Sequence, residues 1–352
     1  MRDLRWFVVV LLFFIPFSSA SAFKWRYRKL LKKTNQSIQG QVLDFTANHG
    51  KDNRLWSKAL CKRRDLYVYV PPHFDLKKKY PLMIWLHGFA QDEVSFLEHI
   101  VPELDRAIRN GCIPPTIIAA PDGTFNGRAC MRNAGSFYLN SKAGKYEDYL
   151  MRDVWCFLHQ TFPIRPEREA HVLAGVSMGG HAAYNKGFKY RHLVKNILGI
   201  YPPLNDRWIS CRGRYHDNFT PETWAWRTDF SNRWEGMGRF YLVLTFRLGQ
   251  IIKPLYGRAH NTAELIALDN PIEMIDRLKL RPGQLDMFVA YGGKDEFNID
   301  AQIESFLYRA KRRGLRPRVV YDPEGRHDVE SARNYIPDAL RWLDQKLKPY
   351  AP

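Results

Sequence analysis

Residues 171–184 read HVLAGVSMGGHAAY. An apolar run, HVLAG, passes through Val176-Ser177-Met178 into GGHAAY, the small-residue opening of a helix. A serine hydroxyl is a poor nucleophile unless a base takes its proton and the backbone holds it clear. A sharp strand-to-helix turn does the second job, and glycines two residues to either side remove side chains that would clash. Gly175 and Gly179 occupy those places around Ser177. The pattern alone is common, so its weight depends on whether the rest of the chain supplies the matching fold.

Outward from this stretch, short apolar runs alternate with helical patterns. Strands are expected at 66–70, 82–86, 116–120, 171–176, 196–201, 287–291 and 318–321. Several are almost unbroken apolar runs, which suits strands buried on both faces. Tyr146, Leu150, Val154 and Phe157 recur at helical spacing, as do Ile303, Phe306, Leu307 and Ala310. Gly314 is the expected end of the second helix. Ile336, Leu340, Leu343 and Leu347 mark a last helix, with Pro337 expected in its first turn. Alternating strand and helix implies a mostly parallel central sheet flanked by helices.

The mechanism needs an acid and then a histidine downstream of the serine. Asp295 follows the strand at 287–291, and His327 follows the last strand. Open α/β sheets place their sites at the carboxyl ends of strands. Ser177, Asp295 and His327 all satisfy that rule. Glu296 and Asp300 are rival acids, and position after the strand favours Asp295. Asp328 beside His327 allows a structural pair instead. His327 is nevertheless the only histidine beyond Asp295. Two backbone N–H groups must also face the oxygen that gains charge. Met178 supplies one. The loop after 82–86, His87-Gly88-Phe89, supplies the other from Phe89, with Ala90 as the alternative.

The motifs WLHGF, APDG, YEDYLMRDV, GVSMGGHAAY, GGKDEFN and GRHDVES occur in the order found in the esterase D-like branch of the α/β-hydrolases. The chain resembles that group over about 65–347, apart from 205–269. The group includes S-formylglutathione hydrolases, feruloyl and acetyl xylan esterases, enterochelin esterases and antigen 85 mycolyltransferases. The resemblance implies an α/β-hydrolase fold and a Ser-His-Asp acyl-transfer mechanism without metal or organic cofactor, here on Ser177, His327 and Asp295. It implies a serine esterase acting on an exposed ester of a polysaccharide, an aromatic acid or a lipid. An acyltransferase with the same triad is an alternative. So is a serine peptidase of the prolyl oligopeptidase type, although no propeller fits before the first expected strand.

Residues 205–269 depart from that pattern. They hold Trp208, Trp224, Trp226 and Trp234 and the stretch GRFYLVLTFRLGQIIKPLY. The segment is too long for an ordinary loop of such a fold. It is expected to be an insertion over the sheet edge, a lid or cap. Its apolar run at 240–248, interrupted by Arg247, reads as core rather than lipid contact.

The division expected is therefore residues 1–22, 23–64, a hydrolase domain from 65–204 and 270–352, and the insertion. Residues 1–22 carry Arg2 and Arg5, an apolar run at 6–17 and an A-x-A ending, the pattern of a secretory signal. Lys24, Arg26, Arg28, Lys29, Lys32 and Lys33 follow directly, so an uncleaved anchor through 6–22 is the alternative. Export, to the periplasm or medium, is favoured by the A-x-A site. The net charge of +18 favours anionic envelope or membrane surfaces. No nucleic-acid fold signature accompanies it. Five cysteines with no C-x-x-C and no zinc spacing give no metal site. Cys156 reads as buried on a helix. Oligomeric state and the natural ester are beyond the sequence.

Overall fold

A computed structural model describes residues 20–130, 135–240 and 244–352. The secretory pattern at 1–22 lies outside the described residues except for its last three, which begin helix α1 (Ala20–Ser37). Among the described residues no helix is long and apolar enough to cross a membrane.

Eight strands form one sheet: β1 (Gln41–Phe45), β2 (Leu66–Val70), β3 (Leu82–Leu86), β4 (Ile117–Pro121), β5 (His171–Val176), β6 (Asn196–Ile200), β7 (Asp286–Gly292) and β8 (Arg318–Asp322). Their order is β1-β2-β4-β3-β5-β6-β7-β8. β2 runs antiparallel to both β1 and β4, and the remaining pairs are parallel. The seven expected strands all form. β1 was not foreseen, and it extends the sheet into residues before 65.

β2, β3, β4 and β6 are buried at every residue, as helices on both faces require. β8 at the edge is only partly covered. The helical stretch of Tyr146–Asp148, Tyr149–Val154 and Trp155–Thr161 is tied to α3 (Met178–Lys189) through Glu147, which pairs with Lys186 and Lys189. Helix α2 (Val101–Arg109) follows β3. The insertion forms two small hairpins, Trp208–Ser210 with Trp224–Trp226 and Gly236–Phe240 with Leu244–Arg247. Helices α4 (Gly249–Tyr256) and α5 (Thr262–Asp269) complete it. Then come α6 (Pro271–Arg277), α7 (Ile299–Arg312) and α8 (Val329–Leu347).

Two expectations are corrected. Pro337 lies well inside α8 rather than in its first turn. The helix starts earlier because Asp328 caps it, accepting the Ser331 N–H at 2.8 Å. Cys156 is on a helix but exposed, because Val154 and Leu158 carry the buried side. Cys156 sits two residues from each, on the far side of the helical wheel. All five cysteines are exposed and unpaired.

Candidate active site

β5 ends at Val176 and α3 begins at Met178, so Ser177 alone makes the turn. Its φ of 52° lies in the left-handed region that non-glycine residues seldom adopt. Two contacts hold it there. Ser177 N–H donates to Ile200 O at 2.8 Å, and His181 N–H donates to Ser177 O at 2.9 Å. The flanking glycines are required by close approach. A Cβ on Gly179 would stand 1.9 Å from Leu86 O, and one on Gly175 would stand 2.4 Å from the Gly179 carbonyl carbon. The helix start therefore presses directly on the end of β3.

His327 Nε2 lies 3.0 Å from Ser177 Oγ, and its Nδ1 lies 2.8 Å from Asp295 Oδ2. The three side chains form one hydrogen-bonded line. The Asp295 side chain is fully buried and that of His327 nearly so. The other Asp295 oxygen accepts the Phe297 N–H at 2.8 Å. The loops carrying Asp295 and His327 are joined by backbone bonds, Gly293 N–H to Asp322 O and Lys294 N–H to Gly325 O, both 2.9 Å. Gly292 permits this, because a Cβ there would lie 2.1 Å from Gly325 O.

The rival acids fall elsewhere. Glu296 accepts the His327 backbone N–H at 3.1 Å and pairs with Arg326. It holds the histidine loop without touching the ring nitrogens. Asp300 stands at the start of α7, and Asp328 caps α8.

Sequence reasoning missed the aromatic pair around the imidazole. Tyr201 and Phe297 have ring centroids 4.6 and 4.8 Å from that of His327. Tyr201 directly follows β6, and its hydroxyl donates to Asp328 O. A signal existed in its position at a strand end, but nothing local specified stacking.

Met178 opens α3, where the first N–H groups have no carbonyl partner within the helix. Across from it runs the His87–Gln91 loop. Gly123 N–H donates to His87 Nε2 at 2.9 Å, so His87 Nδ1 carries the proton and donates to Gly88 O at 2.9 Å. Gly88 N–H is taken by Gln91 Oε1 at 2.9 Å. Beneath the loop, Arg64 and Asp122 form a buried ion pair. Burial opposes the Asp122 charge, but Arg64 and the Thr124 N–H outweigh it and hold the carboxyl below its ordinary range.

Ser177 and His327 lie between two cavities. The larger, about 630 Å³, runs along the sheet face. The smaller, about 110 Å³, is lined by Met178, Phe137 and the insertion residues Met237, Phe246 and Leu255. Phe246 packs edge-on against Phe89, centroids 4.7 Å apart, and stands 5.9 Å from Phe297. Among the described residues no group of three His, Cys, Asp or Glu could hold a metal ion.

This sheet, with a serine at its central turn, is an α/β-hydrolase fold. The chain belongs to the Esterase family, described as "Putative esterase", whose model matches residues 57–334. It is a carboxylic ester hydrolase. An acetyl esterase of Caldicellulosiruptor saccharolyticus is 25% identical over 214 residues, covering 60% of this chain and 68% of that protein. A solved ferulic acid esterase matches with a TM-score of 0.63 at 18% identity, over 88% of this chain and 99% of that one. An S-formylglutathione hydrolase from Agrobacterium tumefaciens matches at 0.61 and 15% identity, over 88% and 96%.

Proposed function

We propose that Ser177 is the nucleophile, His327 the general base and Asp295 the acid that orients it, in an esterase working through an acyl-enzyme. The observation that carries this is the unbroken line from Asp295 through His327 to Ser177 on a turn held at positive φ. His327 Nε2 takes the hydroxyl proton as Ser177 Oγ attacks the ester carbonyl carbon. Met178 and Phe89 N–H groups stabilise the oxyanion. The tetrahedral intermediate collapses, His327 gives its proton to the departing alkoxide, and an alcohol leaves. Water, deprotonated by His327, then attacks the acyl carbon and releases the acid. Asp295 keeps the proton on Nδ1 and stabilises the imidazolium. Tyr201 and Phe297 confine the ring.

Residues 205–269 act as a cap in this reading, supported by Phe246 standing between Phe89 and Phe297. Export of the chain rests on the sequence pattern at 1–22.

Hydrolysis of p-nitrophenyl acetate by the purified chain tests the reading. Ser177→Ala should lower turnover by about 10⁴-fold or more without changing thermal stability appreciably. Undiminished turnover in that variant would refute it.

A further inference from the structure

The larger cavity holds more than the reaction centre needs. Its floor is one face of the sheet: Met83 and Trp85 of β3, Ala174 and Val176 of β5, Leu198 and Ile200 of β6. These alternate along their strands, as residues sharing a face must. One wall is α8, through Val329, Ala332, Ile336, Ala339 and Leu343. The other is Ile100 and Leu104 beside α2. The sheet residues are largely buried beneath the groove, and the apolar surface left accessible along it comes from Val176, Ile100, Val329, Ala332, Ile336 and Leu340. Ala332 and Ala339 keep it open on the α8 side.

Several polar residues along the groove are already engaged, while Arg239 and Arg333 stand exposed at it. Glu103 pairs with Arg106, Arg326 with Glu296, and Asp328 with the first turn of α8. The deep part offers a substrate surface to bury and little to hydrogen-bond. One end of the groove is Ser177 and His327 themselves. An occupant must therefore place an ester carbonyl at that end and apolar matter along the rest.

We infer that the groove between α2 and α8 is an acyl-chain channel, and that the substrate is an ester of a long-chain fatty acid. From Val329 to Leu343 the wall covers fourteen helical steps, or about 21 Å. An extended alkyl chain advances about 1.25 Å per carbon, so roughly sixteen carbons fit. The volume of about 630 Å³ is that of a full ligand site. An acetyl group or a single aromatic ring leaves most of that volume unfilled. The channel rests on Ser177 being the nucleophile, and the experiment separates the two claims.

The full chain is assayed on p-nitrophenyl esters from acetate to palmitate and on a feruloyl ester, all below their micellar concentrations. Each methylene buried should raise kcat/KM by up to about fourfold, with a plateau near the length of the groove. Ala339→Phe, which fills the groove partway along, should lower the palmitate-to-acetate ratio of kcat/KM at least tenfold. Acetate turnover and thermal stability report whether that variant folds. Independently of any variant, a hexadecyl fluorophosphonate should label the native chain faster than an ethyl one. A flat or falling length profile, or a preference for the feruloyl ester, with acetate still hydrolysed through Ser177, overturns the channel and leaves the esterase reading standing. Absence of turnover on every ester, with no Ser177 labelling, overturns both.

Discussion

The sheet and the insertion meet within one ring contact of Ser177, yet they are held together differently. The sheet is fixed by buried apolar strands and backbone approaches so close that glycine is required, as at Gly179 and Gly292. The insertion uses short hairpins, ion pairs and cation–π stacking. Arg227 pairs with Glu235 and stands 5.1 Å from the Phe230 ring centroid. Arg207 stands 5.5 Å from that of Trp226. Trp234 is exposed. The region that would perform the chemistry tolerates almost no displacement. The region that shapes the pocket rests on side-chain contacts that can be exchanged one at a time.

Substitutions in the two regions should therefore differ in kind. The largest effect is expected at Asp295. Asp295→Asn leaves the shape intact but holds His327 in the wrong tautomer, and should lower kcat by about 10⁴-fold. A steady-state assay on acetate esters measures it, and a loss under tenfold would assign the orienting role to another group. Next is Gly179→Ala, whose methyl would overlap Leu86 O. It should cost about 3 kcal/mol or more, read by urea denaturation.

In the insertion the effects shrink. Phe246→Ala should raise KM for small esters about fivefold while kcat stays within threefold, because it changes the pocket wall and not the reacting groups. Gly236→Ala meets only Thr245 Cγ2 at 3.3 Å, so it should change stability by less than about 1 kcal/mol. Equal costs at Gly179 and Gly236 would erase the contrast.

Asp300 gives a pH test at the sheet's own edge. Burial pushes its carboxyl up to about 7, against the Ala301 N–H and with help from Asp295 and Glu304. Unfolded, it titrates near 3.9. Between about 4 and 7 the folded state binds more protons, so this group's contribution to stability falls as pH rises through that window. Asp300→Asn cannot ionise. Its melting temperature should exceed that of the native chain by roughly 2 °C at pH 8 and match it at pH 4.

The same contrast explains what the sequence made legible. β2 to β8 announce themselves as apolar runs, and Ser177, Asp295 and His327 each sit just beyond one, so order along the chain stood in for position in space. β1 was hidden because Gln41-Val42-Leu43-Asp44-Phe45 is a half-exposed edge strand with polar residues interleaved. Three-residue strands such as Trp224–Trp226 are too short to show a period. The start of α8 is hard to read because polar Glu330, Ser331, Arg333 and Asn334 interrupt its first two turns, leaving the Asp328 cap as the signal. The ring contacts of Tyr201 and Phe297 with His327, and the open groove beside α8, depend on how distant elements approach. No local pattern encodes such distances.

The most direct test of the central claim is the site of covalent capture. The native chain is treated with a fluorophosphonate, digested and mapped by mass spectrometry. One phosphonyl group per chain on Ser177, formed at a rate that collapses in His327→Ala, is the predicted result. Modification at another residue, or labelling of Ser177 that is indifferent to His327, would contradict the account.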